Sequence, residues 1–338
     1  MRKAGASGSG PASPKDATLS FASMESPPVE TPASSSSDIS GRHQALYRVA
    51  RKEVARALDA AGTGQPFDVG NLQVVASGLV EALATGDALL ALTLGGDTHL
   101  DLARHMVNVA IYAIRIGRGI GYSDDDLRRM ALAACLHDVG MVIVPRRMLE
   151  KVGPLSPEEV TLLRQHPEKG FRFLKTLGSE FEWVATVALQ EQERADGSGY
   201  PQGLKTDQVH EFAKIVGLAD MYDALTHPRP NEKPRGPFDA MKEITGIGRR
   251  LFPTHLLKGL IQGLSTFPVG SLVRLNSKEV ARVVATNPAF PLRPTVDVLT
   301  GPQGDQMSSP RLVDLAQNSL LYITDSLTID APGGSGAA

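Results

Sequence analysis

His137 and Asp138 close the apolar run ALAACLHDVG, and neither side chain suits a dry interior alone. A carboxylate carried into a core costs several kcal/mol unless something pairs with it. A divalent cation is one such partner, and imidazole with carboxylate is a donor set for iron, manganese or zinc. A hydrogen-bonded His-Asp pair without chemistry is the other reading of these two residues. Similar side chains recur along the chain. His105 lies within LARHMVNVA, with Asp101 one turn before it. His166 follows LLRQ, and Asp220 follows KIVGLA, where an acid is unexpected. Singly, each reads as a solvated or satisfied residue; together, coming from separate helices, they compose a metal centre inside a helical bundle.

The elements that would position these residues are mostly helical. Residues 1–42 are rich in Ser, Pro, Ala and Gly and read as a disordered tail. Residues 43–97 form a helical lead-in, with Leu46, Val49, Val54 and Leu58 at helical spacing. Residues 98–266 alternate helical patterns with short turns. HLDLARHMVNVAIYAIRIGRGIG is one helix, and Ser123 caps the next, DDLRRMALAACLHDVG, with three acids in its first turn. SPEEVTLLRQHPEKGFRFLKTL opens on a capping box of Ser156 and Glu159. Residues 267–328 change character: VGSLVRL, EVARVVAT, TVDVL and SLLYITD predict a small antiparallel β unit or partial barrel. Residues 329–338 read as a flexible tail. The fold class is mainly α, with a C-terminal β unit.

Between two helical patterns stands QEQERADGSGYPQGL, residues 190–204, longer than a connector needs to be. Gly197 and Gly199 are expected to take backbone angles that other residues resist.

Composition narrows the partners. With 35 basic and 37 acidic residues and no dense basic tract, nucleic acid and anionic membranes are not indicated. The basic start has no apolar run behind it, and no stretch approaches ~20 uninterrupted apolar residues. A lone Cys135 in an apolar run suits a reducing cytoplasm.

The motifs together resemble the HD phosphohydrolase superfamily, whose H…HD…D quartet matches His105, His137, Asp138 and Asp220. Gly197-Ser198-Gly199-Tyr200-Pro201, preceded by Glu193-Arg194, narrows the resemblance to the HD-GYP family over residues 98–264. His166-Pro167-xx-Gly170 and the run from Ala219 to Thr226 match as well, and the β unit looks like an extension found on some members. The resemblance implies an HD-type helical bundle and a cytoplasmic phosphodiesterase that hydrolyses cyclic di-GMP, in bacterial second-messenger signalling, at an iron or manganese site. It implies metal ligation by His105, His137, Asp138, His166, Glu191 and Asp220, with Asp138 bridging. His137 and Asp138 would be catalytic, and Arg229 and Tyr200 would meet substrate.

Departures from the pattern fall at the same site. The family's His-His is here Glu191-Gln192, its Lys after His-Asp-x-Gly is Met141, and its Tyr after Arg-Pro is Asn231. One or two ions are therefore expected. A non-catalytic relative binding nucleotide or a signalling protein, and a one-metal nucleotide phosphohydrolase, stand as alternatives. A homodimer through the lead-in is compatible with the sequence, and no residue pattern points to it.

Overall fold

Capped starts and apolar faces account for the helices that carry the site. The structure, a computed structural model, describes residues 33–94, 101–228, 235–264, 266–267, 269–287 and 289–327. The chain divides into two units, 1–39 and 40–338, and apart from the first residues of α1 all that follows concerns the second. The described helices are α1 (Ala33–Thr63), α2 (Gly70–Thr85), α3 (Ala88–Leu94), α4 (Leu102–Gly119), α5 (Asp124–Ala134) and α6 (Arg146–Leu149). They continue as α7 (Pro157–Leu163), α8 (His166–Leu174), α9 (Glu182–Gln190), α10 (Glu211–Thr226), α11 (Pro237–Leu251) and α12 (Thr254–Gly263). A 3-10 turn, Val139–Ile143, follows α5.

Helix α4 is the spine. Met106, Val107, Val109, Ala110, Ile111 and Tyr112 are all buried, because α5, α10 and α12 pack around it. Tyr112 meets Tyr222 of α10 edge to face at 4.9 Å. Asp101 caps α4, its carboxylate accepting the Arg104 backbone N–H at 3.0 Å while also pairing with Arg51 of α1. The acid expected to share a face with His105 is thus engaged with the lead-in.

Two stretches read as continuous helices break where the chemistry lies. After Ala134 the chain leaves α5 in a turn that carries His137 and Asp138. The capping box of Ser156 and Glu159 forms as expected, but α7 stops at Leu163 and α8 starts at His166. Pro167 has no N–H for the preceding turn, so the helix restarts there. Gly140 permits the join: a Cβ at that position would lie 2.0 Å from the His166 carbonyl oxygen and 2.5 Å from Gly170 N.

The tail expectation needs correcting from residue 33 onward, since α1 begins at Ala33. Extending a helix anchored by buried Tyr47, Ala50 and Val54 fixes only one residue per added hydrogen bond. Residues 1–32 and the expected tail at 329–338 lie outside the described residues.

The β unit is a five-stranded antiparallel sheet in the order β4-β3-β2-β1-β5, from β1 (Leu272–Leu275), β2 (Val280–Ala285), β3 (Thr295–Thr300), β4 (Gln306–Asp314) and β5 (Ile323–Leu327). Its own core gathers Phe267, Val273, Val283, Val296, Val298 and Leu315. Strands β4 and β5 stand at the two ends of this order. Among the described residues no helix is long and apolar enough to cross a membrane.

Cys135 is fully buried, two residues before His137, and burial pushes its thiol up to about 12. A thiol so placed is neither ionised nor reachable near neutrality. The native protein should resist alkylation by iodoacetamide and yield one reactive thiol in guanidinium. Native labelling at the rate of a free thiol would contradict this burial.

Candidate metal centre

All six side chains expected as ligands converge. His105, His137 and Asp220 form one trio, and Asp138, His166 and Glu191 another, with the donor atoms of each trio within 4.8 Å of one another. They come from α4, the turn after α5, the start of α8, the end of α9 and the middle of α10. Asp138 faces both ways. Its Oδ1 lies 3.2 Å from His166 Nε2, while its Oδ2 lies 3.6 Å from His105 Nε2 and 3.8 Å from His137 Nε2. His105 Nε2 is 3.2 Å from Asp220 Oδ1, and His166 Nε2 is 3.2 Å from Glu191 Oε1. Donors around an ion with bonds of about 2.1 Å stand roughly 3 Å apart along the edge of an octahedron, so these spacings suit coordination.

Each imidazole is held by its far nitrogen. His137 Nδ1 donates to the Ala134 carbonyl at 2.8 Å, and His166 Nδ1 to the Leu163 carbonyl at 2.8 Å. His105 Nδ1 donates to Asp223 Oδ2 at 2.7 Å. All three rings therefore turn Nε2 toward the centre, the arrangement that fixes the tautomer of a metal-bound histidine. Three buried atoms at the centre make no hydrogen bond: His137 Nε2, Asp138 Oδ1 and Glu191 Oε2. Unpaired polar atoms this deep are costly, and a divalent ion would complete each of them. The residues present fit such an ion.

The charges agree. Burial opposes ionisation of Asp138, but His137, His166 and His105 outweigh it and hold the carboxyl well below its ordinary range. Burial likewise opposes Asp220, and the hydrogen bond and charge of His105 lower it. Glu191 goes the other way, because full burial and the neighbouring Asp220 raise it despite the bond to His166. His105 is raised well above an ordinary imidazole: burial works against its charge, and Asp220 and Asp223 overcome burial. His166 is raised similarly, by Asp138 and Glu191.

The loop after α9 is fixed by its own acid. Buried Glu193 accepts the backbone N–H groups of Gln202 at 2.7 Å and Leu204 at 2.9 Å. Gly197 takes φ +79°, as expected of a residue free of Cβ strain. Gly199 does not adopt a left-handed angle. It is needed because a Cβ there would come within 2.4 Å of Glu193 Cα. The result sets the Tyr200 ring edge-on to His166, with centroids 6.1 Å apart, and lays the Arg164 guanidinium over Tyr200 at 5.2 Å. Arg229, expected to meet substrate, lies outside the described residues, as does Asn231.

The contacts made by several residues around the centre went unread in sequence. Gln192, noted from sequence only as a departure from the family pattern, donates from Nε2 to Asp220 Oδ2 at 3.1 Å while its Oε1 accepts from Arg194 at 3.2 Å. Asp223 is almost fully buried and holds His105, His227 and Asn108. A second acid three residues after Asp220 in the same apolar helix was the available signal. Arg164 carried none, since an exposed arginine is ordinary.

The chain is similar to known proteins. The family model described as HD domain matches residues 92–252, and one described as KOW domain associated with HD domain matches residues 272–331. The chain is 29% identical over 313 residues to the cyclic di-GMP phosphodiesterase PA4108 of Pseudomonas aeruginosa, covering 90% of this chain and 74% of that one. It is 34% identical over 164 residues to a cyclic di-GMP phosphodiesterase of Thermotoga maritima, covering 48% of this chain and 45% of that protein, less than half the relative's length. Bd1817, a HDG"Y"P protein from Bdellovibrio bacteriovorus, superposes with TM-score 0.57 at 20% identity, over 68% of this chain and 73% of that one, a likeness of fold.

Because the carboxylates around His105 and His166 raise the proton affinity of both rings, a cation would compete with protons there. Manganese titrated into metal-free protein should release on the order of one proton per ion, and its affinity should rise between about pH 6 and 8. Calorimetry in buffers of different ionisation enthalpy measures the release; binding that is independent of buffer and pH would refute it.

Proposed function

We propose that the chain is a member of the HD-domain family, in its HD-GYP branch, and a metal-dependent phosphodiesterase that hydrolyses cyclic di-GMP in second-messenger signalling. The observation that carries this is Asp138, whose two oxygens reach the two trios. His105, His137 and Asp220 would hold one ion, and His166 and Glu191 the other. The oxygen-rich second trio favours manganese or iron. Bound ions would supply an acidified water and offset the negative charge of a phosphodiester.

Hydrolysis adds one water across one P–O bond and opens the cyclic dinucleotide to a linear one. The protein's own groups bind and orient. Tyr200 stays a phenol, because burial and the charge of Glu191 raise its pKa, so it can donate to a phosphoryl oxygen. Met141 offers no charge where the family carries a lysine. Arg164, exposed and stacked on Tyr200, supplies a guanidinium beside the site, and that geometry suits phosphate. Arg229 is proposed for the same role. The lone buried thiol suits a cytoplasmic setting.

Protein loaded anaerobically with manganese or iron should convert cyclic di-GMP to the linear dinucleotide, read by chromatography, and His137→Ala with Asp138→Ala should abolish this. Turnover absent from fully loaded protein would overturn the assignment. Nucleotide binding without turnover would identify the non-catalytic form, which Met141 favours. Arg164→Ala should raise KM by about tenfold with a smaller change in kcat, consistent with loss of one charge-assisted contact worth about 1.4 kcal/mol. An unchanged KM would remove Arg164 from the substrate site.

A further inference from the structure

Helix α1 lies outside the HD-domain match, yet one of its side chains reaches the chemistry. Tyr47 is buried, and its O–H donates to Asn108 Oδ1 at 2.6 Å. Asn108, 1% exposed on α4, donates from Nδ2 to Asp223 Oδ1 at 3.0 Å. Asp223 Oδ2 accepts from His105 Nδ1 at 2.7 Å, and His105 turns Nε2 to the first trio. We infer that Tyr47 is a positioning residue of the metal centre, and that the lead-in helix is thereby coupled to the ion held by His105. The inference rests on the reading that the two trios hold divalent ions.

Donor and acceptor logic makes the chain directional. An ionised Asp223 only accepts, so Asn108 must point its N–H₂ at that carboxylate. This leaves the amide oxygen facing α1, buried and in need of a donor. Tyr47 supplies it. Remove the hydroxyl, and Asn108 either keeps an unpaired buried oxygen or turns that oxygen against Asp223. Both outcomes loosen the carboxylate that orients His105, and outer partners of this kind tune affinity for metal. Arg51 pairing with Asp101 holds the same helix against the start of α4, so α1 meets the α4 spine at two points on one side. A protein that shifted α1 would therefore act on the ion without entering the site.

The test is manganese affinity, by calorimetry on the full chain, for wild type and Tyr47→Phe. Outer partners typically contribute about tenfold or more, and Tyr47 sits one bond further out, so Tyr47→Phe should weaken binding by about threefold to tenfold. Asn108→Ala interrupts the chain nearer the ion and should cost about tenfold or more. Because both act through one path, the double variant should bind no worse than Asn108→Ala alone. Leu46→Ala, half-buried one residue away on α1, lowers packing without touching the path and should leave affinity within about twofold, though the melting temperature falls. Equal affinity in wild type, Tyr47→Phe and Asn108→Ala would overturn the inference while leaving the metal reading intact. A loss with Leu46→Ala matching that with Tyr47→Phe would also overturn it, assigning the effect to general loosening. A wild type that binds no manganese would overturn the metal reading itself.

Discussion

Crowding four carboxylates and three imidazoles into one largely buried space is the constraint around which the bundle is built. Asp138, Asp220, Asp223 and Glu191 lie within reach of His105, His137 and His166, and ion pairing among them is incomplete. Three buried atoms of this cluster, His137 Nε2, Asp138 Oδ1 and Glu191 Oε2, make no hydrogen bond. A buried carboxylate that finds only a partial partner is driven toward its neutral form, as Glu191 is. A cation would reverse that pressure and turn a destabilising cluster into a cross-link among five segments. The same donors that would perform the chemistry would then also help hold the helices together.

What orients the donors is backbone as much as side chain. Ala134 and Leu163 each offer a carbonyl left free where a helix stops, and each takes the Nδ1 proton of a histidine three residues on. The interruptions of α5 and α7 are thus the means by which His137 and His166 are aimed. Gly140 lets the two interrupted segments touch, which brings Asp138 to His166.

Helix identities, the capping box and the β unit were legible in the sequence because periodicity survives in one dimension, and the six side chains that converge were legible through their match to a family pattern. The helix breaks were not, since Pro167 at the second position of a helix reads equally well as a start or an interruption. Asn108 and Tyr47 were illegible for a different reason. Their roles depend on which neighbour a buried polar atom meets, and partners such as Tyr47 and Asp223 lie far apart in the chain. Gly199 was noticed for the wrong property, because conformational freedom and lack of volume look identical in a sequence.

The exchange of His-His for Glu191-Gln192 can now be weighed in physical terms. Glu191 keeps a place in the second trio, meeting His166, and changes its donor from nitrogen to oxygen. Gln192 leaves the donor set but remains bonded to it, linking Arg194 to Asp220. Arg194 also donates to the carbonyls of Glu191 and Glu193, so a single guanidinium steadies the start of the loop and, through Gln192, one ligand of the first trio. A donor was lost, and a constraint on a neighbouring donor was gained in its place. Substitution at this pair therefore removes one imidazole from the donor set and exchanges the other for a carboxylate, while leaving Asp138 within reach of both trios.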